Sequence, residues 1–236
     1  MTSMNRLRFD VPLYTVSDAA RIVGVPVSTL ASWAKGYVRR FPGRPNVVGR
    51  GIIASVAPGS VREPSIPFVG LAEALVLAAV RRSGVPMQRL RPALDELQNH
   101  LGVENALASR KLFTDGAELL FDYGRSHQSS GACDLVVVRN GQRVFVEAIS
   151  SYLRRIEYGR DGYATLIRLP AYEDAQVVAD PTRAFGAPIF ERGGVRVDDV
   201  LERFWAGEPL DELAGEFGVP VDQLEDVLRV ASRRAA

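Results

Sequence analysis

Apolar residues recur every three or four positions between residues 14 and 35, and a glycine interrupts them midway. This spacing predicts two short amphipathic helices joined by a tight turn. Thr15 and Asp18 stand where they can cap the first helix, and Gly24 permits the turn. The segment therefore has the pattern of a helix-turn-helix. The apolar residues expected to hold the second helix against the first are Val25, Leu30 and Trp33.

The outward face of the second helix carries short polar and basic side chains. Side chains of this kind read base edges when a helix enters the major groove of DNA. Pro26 stands where a capping serine is usual, so this helix is expected to begin without a side-chain cap. An ordinary two-helix hairpin is the alternative, but the number of matching positions favours a DNA-binding unit. The predicted major-groove residues are Ser28, Thr29, Ser32 and Lys35.

A stretch rich in glycine, proline and arginine follows the second helix. Paired apolar residues at 47–48 and 52–53 flank Gly49-Arg50-Gly51, which predicts a short hairpin, or wing, that turns at these glycines. Gly43-Arg44-Pro45 is similar to a minor-groove hook, although a plain turn is the favoured interpretation. The arginines expected near DNA phosphates are Arg39, Arg40, Arg44 and Arg50.

Leu71 to Val80 is apolar almost all round, which predicts the most buried helix of the chain. Between residues 107 and 170 the pattern changes to short apolar runs broken by Asp115-Gly116 and Asn140-Gly141, both typical of β-hairpins. A short helix at 150–156 and a strand at 163–169 are expected next. This segment therefore predicts a small antiparallel sheet with one helix.

Helical periodicity returns near the end of the chain, where Gly207 and Gly218 separate three predicted helices. In the last of them, the place of a recognition surface is held by Asp222, Glu225 and Asp226. Such a surface would repel phosphates, so we predict that this unit binds protein rather than DNA. The three predicted helices span residues 197–206, 210–217 and 221–231.

Together these patterns predict a mainly α fold with a small β component, in a chain long enough for two or three modest cores. We expect a DNA-binding winged helix-turn-helix over residues 1–105. A small antiparallel sheet segment over 106–172 would act as a linker or dimerisation element. A three-helix, helix-turn-helix-like unit over 173–236 would complete the chain.

The net charge of the whole chain is only +1, but the charge is unevenly distributed. Residues 1–50 carry eight Lys and Arg against two Asp, a balance of 8 − 2 = +6. Residues 181–236 carry seven Arg against eleven Asp and Glu, a balance of 7 − 11 = −4. The two ends are therefore expected to meet partners of different chemistry.

No pattern typical of catalysis or metal binding stands out. His100 and His127 have no Cys or carboxylate at ligand spacing, and Cys133 is the only cysteine, which excludes a disulfide framework. The start of the chain lacks a signal-peptide pattern, and the run at 69–80 is too short to span a bilayer. We predict a cytoplasmic protein that is not an enzyme and that binds no cofactor, metal or membrane.

The motif YTVSDAARIVGVPVSTLASWA resembles the opening of MerR-like winged-helix proteins, and this resemblance continues through the helical pair at 68–94. The segment from Asp180 onward is similar to a domain of unknown function found in bacterial antitoxins. The residues that carry this second resemblance are Gly186, Pro188, Ile189, Val197, Val200, Gly207, Leu213 and Leu224.

The two resemblances together imply a VapB-class antitoxin of a type II toxin–antitoxin pair. Such a protein represses its own operon, as a homodimer on operator DNA, and neutralises a cognate ribonuclease toxin of the PIN type, or VapC class. The alternatives are a ligand-responsive MerR-like regulator with its pocket in residues 107–170, and an architectural or excisionase-like DNA-binding module. The candidate toxin-binding residues are Arg192, Arg196 and Trp205, although the two arginines could instead pair with neighbouring carboxylates.

Overall fold

Two compact units, residues 1–164 and residues 165–236, make up the chain. Helices and small antiparallel sheets build them, which confirms the predicted fold class. The computed structural model describes residues 3–41, 43–60, 62–82, 94–95, 98–99, 102–112 and 150–235.

In the first unit, short helices and a hairpin surround one long helix. The elements are α1 (Ser3–Phe9), β1 (Pro12–Tyr14), α2 (Val16–Val23), α3 (Val27–Lys35), β2 (Tyr37–Phe41), β3 (Arg44–Gly49), β4 (Ile66–Pro67), α4 (Phe68–Arg82), a 3-10 turn at Ala106–Ala108 and β5 (Ile156–Tyr158). β1 pairs antiparallel with β4, which brings the start of α2 beside the start of α4.

Helix α4 forms the core of the first unit. Every residue from Phe68 to Val80 is buried, which confirms the prediction of a strongly buried helix. α4 contacts α1, α2, β4 and the 3-10 turn. An apolar helix of this kind satisfies its backbone internally and gains its stability by packing on all sides.

The wing turns at a different place from the predicted one. β2 and β3 pair antiparallel, and the chain reverses at Gly43, whose backbone is left-handed with φ +72°. Gly49 ends β3, and Gly51 lies against the end of α3, where a Cβ would collide with the carbonyl of Ala34. The predicted turn at 49–51 is therefore wrong, because Gly49 makes room for the ring of Tyr37 and Gly51 for the backbone at the end of α3, and neither reverses the chain.

In the second unit, an antiparallel ladder precedes three helices. The elements are β6 (Ala164–Arg168), whose first residue is the last of the first unit, β7 (Val177–Ala179), β8 (Ile189–Phe190), α5 (Val197–Trp205), α6 (Leu210–Phe217) and α7 (Val221–Ala235). β7 pairs with both β6 and β8. The strand expected at 163–169 and the three expected helices are confirmed, except that α7 continues for four residues beyond its predicted end.

Several predictions fall on residues that the structure does not describe. The hairpins at Asp115-Gly116 and Asn140-Gly141 lie outside the described residues, as do His100, His127 and Cys133. The helix expected at 150–156 is helical at 150–153 and gives way to β5 at residue 156. The division into three segments with boundaries at 105 and 172 stays a prediction, because much of its central segment is outside the described ranges.

Candidate nucleic-acid interface

Helix α2 begins and ends with the local contacts that the sequence predicted. The hydroxyl of Thr15 accepts a hydrogen bond from the backbone N–H of Asp18 at 3.1 Å, and the Asp18 carboxylate accepts from the Thr15 backbone N–H at 3.4 Å. At the other end Gly24 is left-handed, with φ +73°. The backbone N–H groups of Gly24 and Val25 both donate to the carbonyl of Ala20. This geometry closes α2 and sets the direction in which α3 leaves.

Helix α3 buries one face and presents the other. Leu30 and Trp33 are 0% and 2% exposed, so they anchor α3 against the rest of the unit. Pro26 precedes the helix and makes no side-chain cap, as predicted. Of the four predicted major-groove residues, two are exposed and two are half-buried: these are Ser28 and Lys35, then Thr29 and Ser32.

The base of the wing, residues 52–55 just after β3, is fixed to the end of α3 by hydrogen bonds to backbone carbonyls. The N–H groups of Ile52 and Ile53 both donate to the carbonyl of Trp33, at 2.7 and 3.3 Å. The hydroxyl of Ser55 donates to the carbonyl of Ala34 at 2.9 Å. These bonds satisfy carbonyls that the end of a helix otherwise leaves unpaired. The wing and α3 therefore form one surface with a fixed relative position.

The arginines predicted near phosphates belong to this wing. Arg40 in β2 and Arg50 just after β3 are exposed. The backbones of Arg39 and Arg44 lie in β2 and β3, and Arg39 stands opposite Val47 in the ladder. The side chains of Arg39 and Arg44 are outside the described part of the structure. The wing therefore carries exposed positive charge beside α3, although contact with phosphate stays a prediction.

The last turn of α4 approaches the helix-turn-helix, which the sequence did not indicate. Arg81 donates to the hydroxyl of Thr29 on α3 at 2.9 Å. Arg82 donates to the carbonyls of Val23 and Gly24 at the turn between α2 and α3. In the sequence, this contact is marked only by the two arginines at the end of the buried helix. Their position in the last turn indicates a favourable interaction with the helix dipole and nothing about α3.

One of the basic residues counted in the N-terminal charge balance is not available to a partner. Arg8 is buried, and its guanidinium pairs with the carboxylate of Asp161 and donates to the carbonyl of Ala164 at 3.3 Å. Burial opposes ionisation of Asp161, but the hydrogen bond and charge of Arg8, together with the backbone N–H groups of Tyr163 and Asp161, outweigh burial and hold the pKa of that carboxyl below its ordinary value. The balance of +6 therefore overstates the charge that residues 1–50 present.

A carboxyl group lies in the core of the first unit, on helix α4. Glu73 in α4 is 2% exposed, and one of its oxygens accepts a hydrogen bond from the backbone N–H of Ala54 at 2.6 Å. Burial raises the pKa of Glu73 from 4.5 to about 8, and that single hydrogen bond only partly opposes the rise. Glu73 is therefore protonated near pH 7 and links α4 to the segment that follows the wing.

The second unit holds the predicted toxin-binding residues. Trp205 at the end of α5 is 65% exposed, and Arg192 and Arg196 are exposed. Arg196 lies 3.6 Å from the carboxylate of Asp199, which is the local pairing that the sequence left open. A pair of this kind on the surface is weak and leaves the guanidinium accessible. The structure therefore leaves all three side chains accessible to a partner.

One of the acidic residues assigned to the phosphate-repelling surface has another role. Asp226 in α7 is 2% exposed, and one of its oxygens accepts hydrogen bonds from three consecutive backbone N–H groups, at 2.8, 3.0 and 3.0 Å. These donors belong to Glu173, Asp174 and Ala175. The assignment of Asp226 to the surface is therefore wrong, because the carboxylate satisfies a loop that would otherwise bury unpaired N–H groups. Asp222 and Glu225 are exposed, as predicted.

Within the described ranges, no helix is long and apolar enough to cross a bilayer. The same residues contain no group of three or more His, Cys, Asp or Glu that could hold a metal ion. The predicted absence of a cofactor and of catalytic residues stays a prediction.

Two protein families match separate parts of the chain. Residues 12–94 match a family described as "Putative DNA-binding HTH domain". This match covers α2, α3, the wing and α4. Residues 177–231 match a family described as "Protein of unknown function (DUF433)", which covers the second unit from β7 into α7.

Full-length relatives from Mycobacterium tuberculosis give the same picture. "Putative antitoxin VapB45" is 48% identical over 94% of this chain and 95% of its own length. "Uncharacterized protein Rv2308" is 27% identical over 93% of this chain and 90% of its own length. The crystal structure of Rv2018 is 40% identical, with a TM-score of 0.75 over 94% of this chain and 99% of that chain. The chain therefore belongs to the family of the protein described as "Putative antitoxin VapB45", and it joins a helix-turn-helix domain to a DUF433 domain.

Proposed function

We propose that this protein is an antitoxin that represses its own operon. In this proposal the first unit binds operator DNA, and the second unit binds and silences a ribonuclease toxin of the PIN type, or VapC class. Both activities would take place in the cytoplasm. The relationship to a protein described as an antitoxin supports the general role.

The DNA-binding part rests on one observation. α3 buries Leu30 and Trp33 while Ser28 and Lys35 remain exposed, and the base of the wing is hydrogen-bonded to the end of the same helix. A helix with short polar groups outside, flanked by a hairpin with exposed arginines, suits insertion into the major groove with phosphate contacts on one side. We expect a homodimer that reads two half-sites, because one short helix contacts few bases.

The toxin-binding part is supported by the exposed side chains of the second unit. Trp205 is an accessible aromatic of the kind that anchors protein interfaces. A PIN-type active site gathers carboxylates around a divalent cation, and Arg192 or Arg196 can pair with a carboxylate through two parallel hydrogen bonds. The exposed acidic residues of α6 and α7 disfavour DNA as the partner of this unit.

Co-expression of the full chain with the ribonuclease encoded beside its gene tests the proposal. The full chain should restore growth, should co-purify with the toxin, and should repress a reporter placed behind its own upstream DNA. The Trp205→Ala variant should lose co-purification and growth rescue while it keeps repression. Glu212→Ala, at an exposed position on α6, is the matched control and should behave as the wild type.

Persistent growth arrest with the full chain, despite normal expression, would remove the antitoxin assignment. If repression then remained and depended on a small molecule, a ligand-responsive regulator would take its place.

A further inference from the structure

The helix-turn-helix receives a guanidinium from outside its own two helices. Arg81 lies in the last turn of α4, and its Nη1 donates to Oγ1 of Thr29 in the first turn of α3 at 2.9 Å. The two residues are 52 positions apart in the chain. Arg81 is exposed, so the remaining N–H groups of its guanidinium can reach a ligand.

The neighbouring arginine fixes the end of α4 in this position. Arg82 donates to the carbonyl of Val23 at 3.2 Å and to that of Gly24 at 3.4 Å. It also donates to the hydroxyl of Tyr152, and its guanidinium carbon lies 5.6 Å from the centre of the Tyr152 ring. These contacts hold the last turn of α4 against the turn between α2 and α3. Arg81 is therefore presented beside the start of α3 by a fixed backbone.

Among the residues that the structure describes at this end of α3, Arg81 and Arg82 carry the positive charge; Arg82 is held by the carbonyls of the preceding turn, and Arg81 is the one that contacts α3 itself. α3 itself has no basic residue in its first turn, and its lysine, Lys35, lies in its last turn. In the described residues, no carboxylate pairs with Arg81, and its hydrogen-bonding partner is a neutral hydroxyl. An arginine held by a neutral group keeps its full charge and several donors for an anion.

We propose that Arg81 binds a DNA phosphate at the start of the recognition helix, and that Thr29 positions its guanidinium. This inference rests on the proposed function, because it names a further contact of the same DNA-binding surface. Phosphate contacts of this kind set the register of a helix in the groove without reading sequence. Thr29 therefore acts through Arg81 rather than as a reader of bases.

The test measures binding of the full chain to two labelled 30-base-pair duplexes, one from its own upstream DNA and one of mixed sequence, at several salt concentrations. Arg81→Ala should weaken binding to both duplexes by about 10-fold near 0.1 M salt and reduce the slope of log K against log salt by about 0.9. Arg160→Ala removes the same charge from an exposed position of the same unit, in the turn between β5 and β6. This control should leave the slope unchanged.

A second pair of variants tests the role of Thr29. Thr29→Val keeps the shape of the side chain and removes the hydroxyl, so it should weaken binding by about 3-fold without changing the salt slope, because the charge remains. In the Arg81→Ala background, Thr29→Val should have no further effect. A further loss confined to the upstream duplex would overturn the positioning role and make Thr29 a reader of bases.

The possible failures can be told apart. If the wild-type chain shows no salt-dependent binding to either duplex, the DNA-binding proposal fails and the assignment of Arg81 fails with it. If the wild type binds and Arg81→Ala gives the same affinity and slope, only the assignment of Arg81 is overturned. Circular dichroism of each variant at the assay temperature identifies any variant that has lost its fold, and Arg81→Gln then replaces Arg81→Ala.

Discussion

The helical pairs α2–α3 and α6–α7 have the same local design but present different charges. In each pair an eight-residue helix ends at a left-handed glycine, Gly24 with φ +73° and Gly218 with φ +63°. The same residues, Gly-Val-Pro-Val, lead into the second helix of both pairs. The leucine three residues later, Leu30 or Leu224, is fully buried in each. This design builds a helix-turn-helix frame and does not by itself choose a partner.

The side chains at equivalent positions of the second helices make the difference. Ser28 of α3 corresponds to Asp222 of α7, and both are exposed. Ser32 corresponds to Asp226, which turns inward and binds three backbone N–H groups. The outward face of α3 can approach phosphates, whereas that of α7 repels them. We therefore expect a few outward positions to determine which partner each helical pair binds.

The buried carboxyl groups of the two units have pKa values shifted in opposite directions. Glu73 receives one backbone hydrogen bond, and burial raises its pKa to about 8. Burial also opposes ionisation of Asp226, but its three backbone hydrogen bonds and the charge of Arg229 outweigh burial and lower its pKa. The balance between burial on one side and hydrogen-bond donors and neighbouring positive charge on the other therefore decides whether a buried carboxyl is neutral or charged.

The largest expected effect comes from removing the charge of Asp226. Asp226→Asn should lower the free energy of unfolding of the second unit by about 3 kcal/mol, because three hydrogen bonds to a buried charge become weaker bonds to a neutral amide oxygen. Hydrogen exchange of the α7 amides measures this. Glu225→Gln, at the exposed neighbouring position, is the matched control and should change stability by less than about 0.5 kcal/mol.

The same contacts make the stability of the second unit depend on pH in the acid range. The pKa of Asp226 is lower in the folded protein than its ordinary 3.8, so its stabilising effect is present above that value and is lost as the pH falls through the folded pKa. Asp226→Asn should abolish this component of acid unfolding. An unchanged acid transition in the variant would contradict the role given to Asp226.

Giving α3 the charges of α7, and the reverse, should have the next largest effect, which is on DNA affinity. Ser28→Asp combined with Ala31→Glu gives α3 the charges that α7 carries at these positions, and should weaken DNA binding by about 100-fold through repulsion of phosphates. The reciprocal control is Asp222→Ser combined with Glu225→Ala, which should leave the fold intact and change DNA affinity little. Equal affinity of the first variant and the wild type would show that α3 does not face DNA.

The first unit should lose stability as the pH rises. The unfolded chain releases the proton of Glu73 near pH 4.5, whereas the folded protein keeps it until about pH 8. The contribution of Glu73 is therefore fully present below pH 4.5 and is lost on the way to pH 8, at a slope of up to about 1.4 kcal/mol per pH unit.

Glu73→Gln removes the titration while keeping a side-chain oxygen for the N–H of Ala54, so it should flatten this slope. Urea unfolding between pH 5 and pH 8 measures it through the fluorescence of buried Trp33, in a Trp205→Phe background that leaves a single tryptophan. A slope that survives in the variant would place its origin elsewhere.

The smallest expected effect concerns the cap of α2, which α6 lacks because it follows Pro209. Thr15→Ala removes the hydroxyl that accepts from the Asp18 N–H and donates to the Asp18 carboxylate, and should destabilise the first unit by about 1 kcal/mol. Ser17→Ala, at an exposed position in the first turn of α2, is the control and should change stability by less than about 0.5 kcal/mol. Trp33 fluorescence during urea unfolding distinguishes the two variants, and equal midpoints would show that the cap contributes nothing.

The helical framework and the unequal charge of the two ends follow from local sequence patterns. The caps, glycines and apolar spacing of α2, α3, α5, α6 and α7 act within a few residues of each other, so local physics places these helices almost independently of the rest of the chain. For the same reason the exposure of Ser28 and Lys35 on the outward face of α3 was predictable from helical periodicity, whereas periodicity left the exposure of Trp205 open. The missing side-chain cap at Pro26 was predictable too.

Which charged groups remain available to a partner depends instead on long-range packing. Arg8 meets the carbonyl of Ala164 across 156 positions, Arg81 meets Thr29 across 52, and the N–H of Ala175 meets Asp226 across 51. No local sequence pattern predicts such contacts, because they depend on how whole helices pack. The place of the wing turn was missed for a related reason. A glycine that reverses the chain and a glycine that admits a neighbouring backbone look the same in sequence, and only packing separates them.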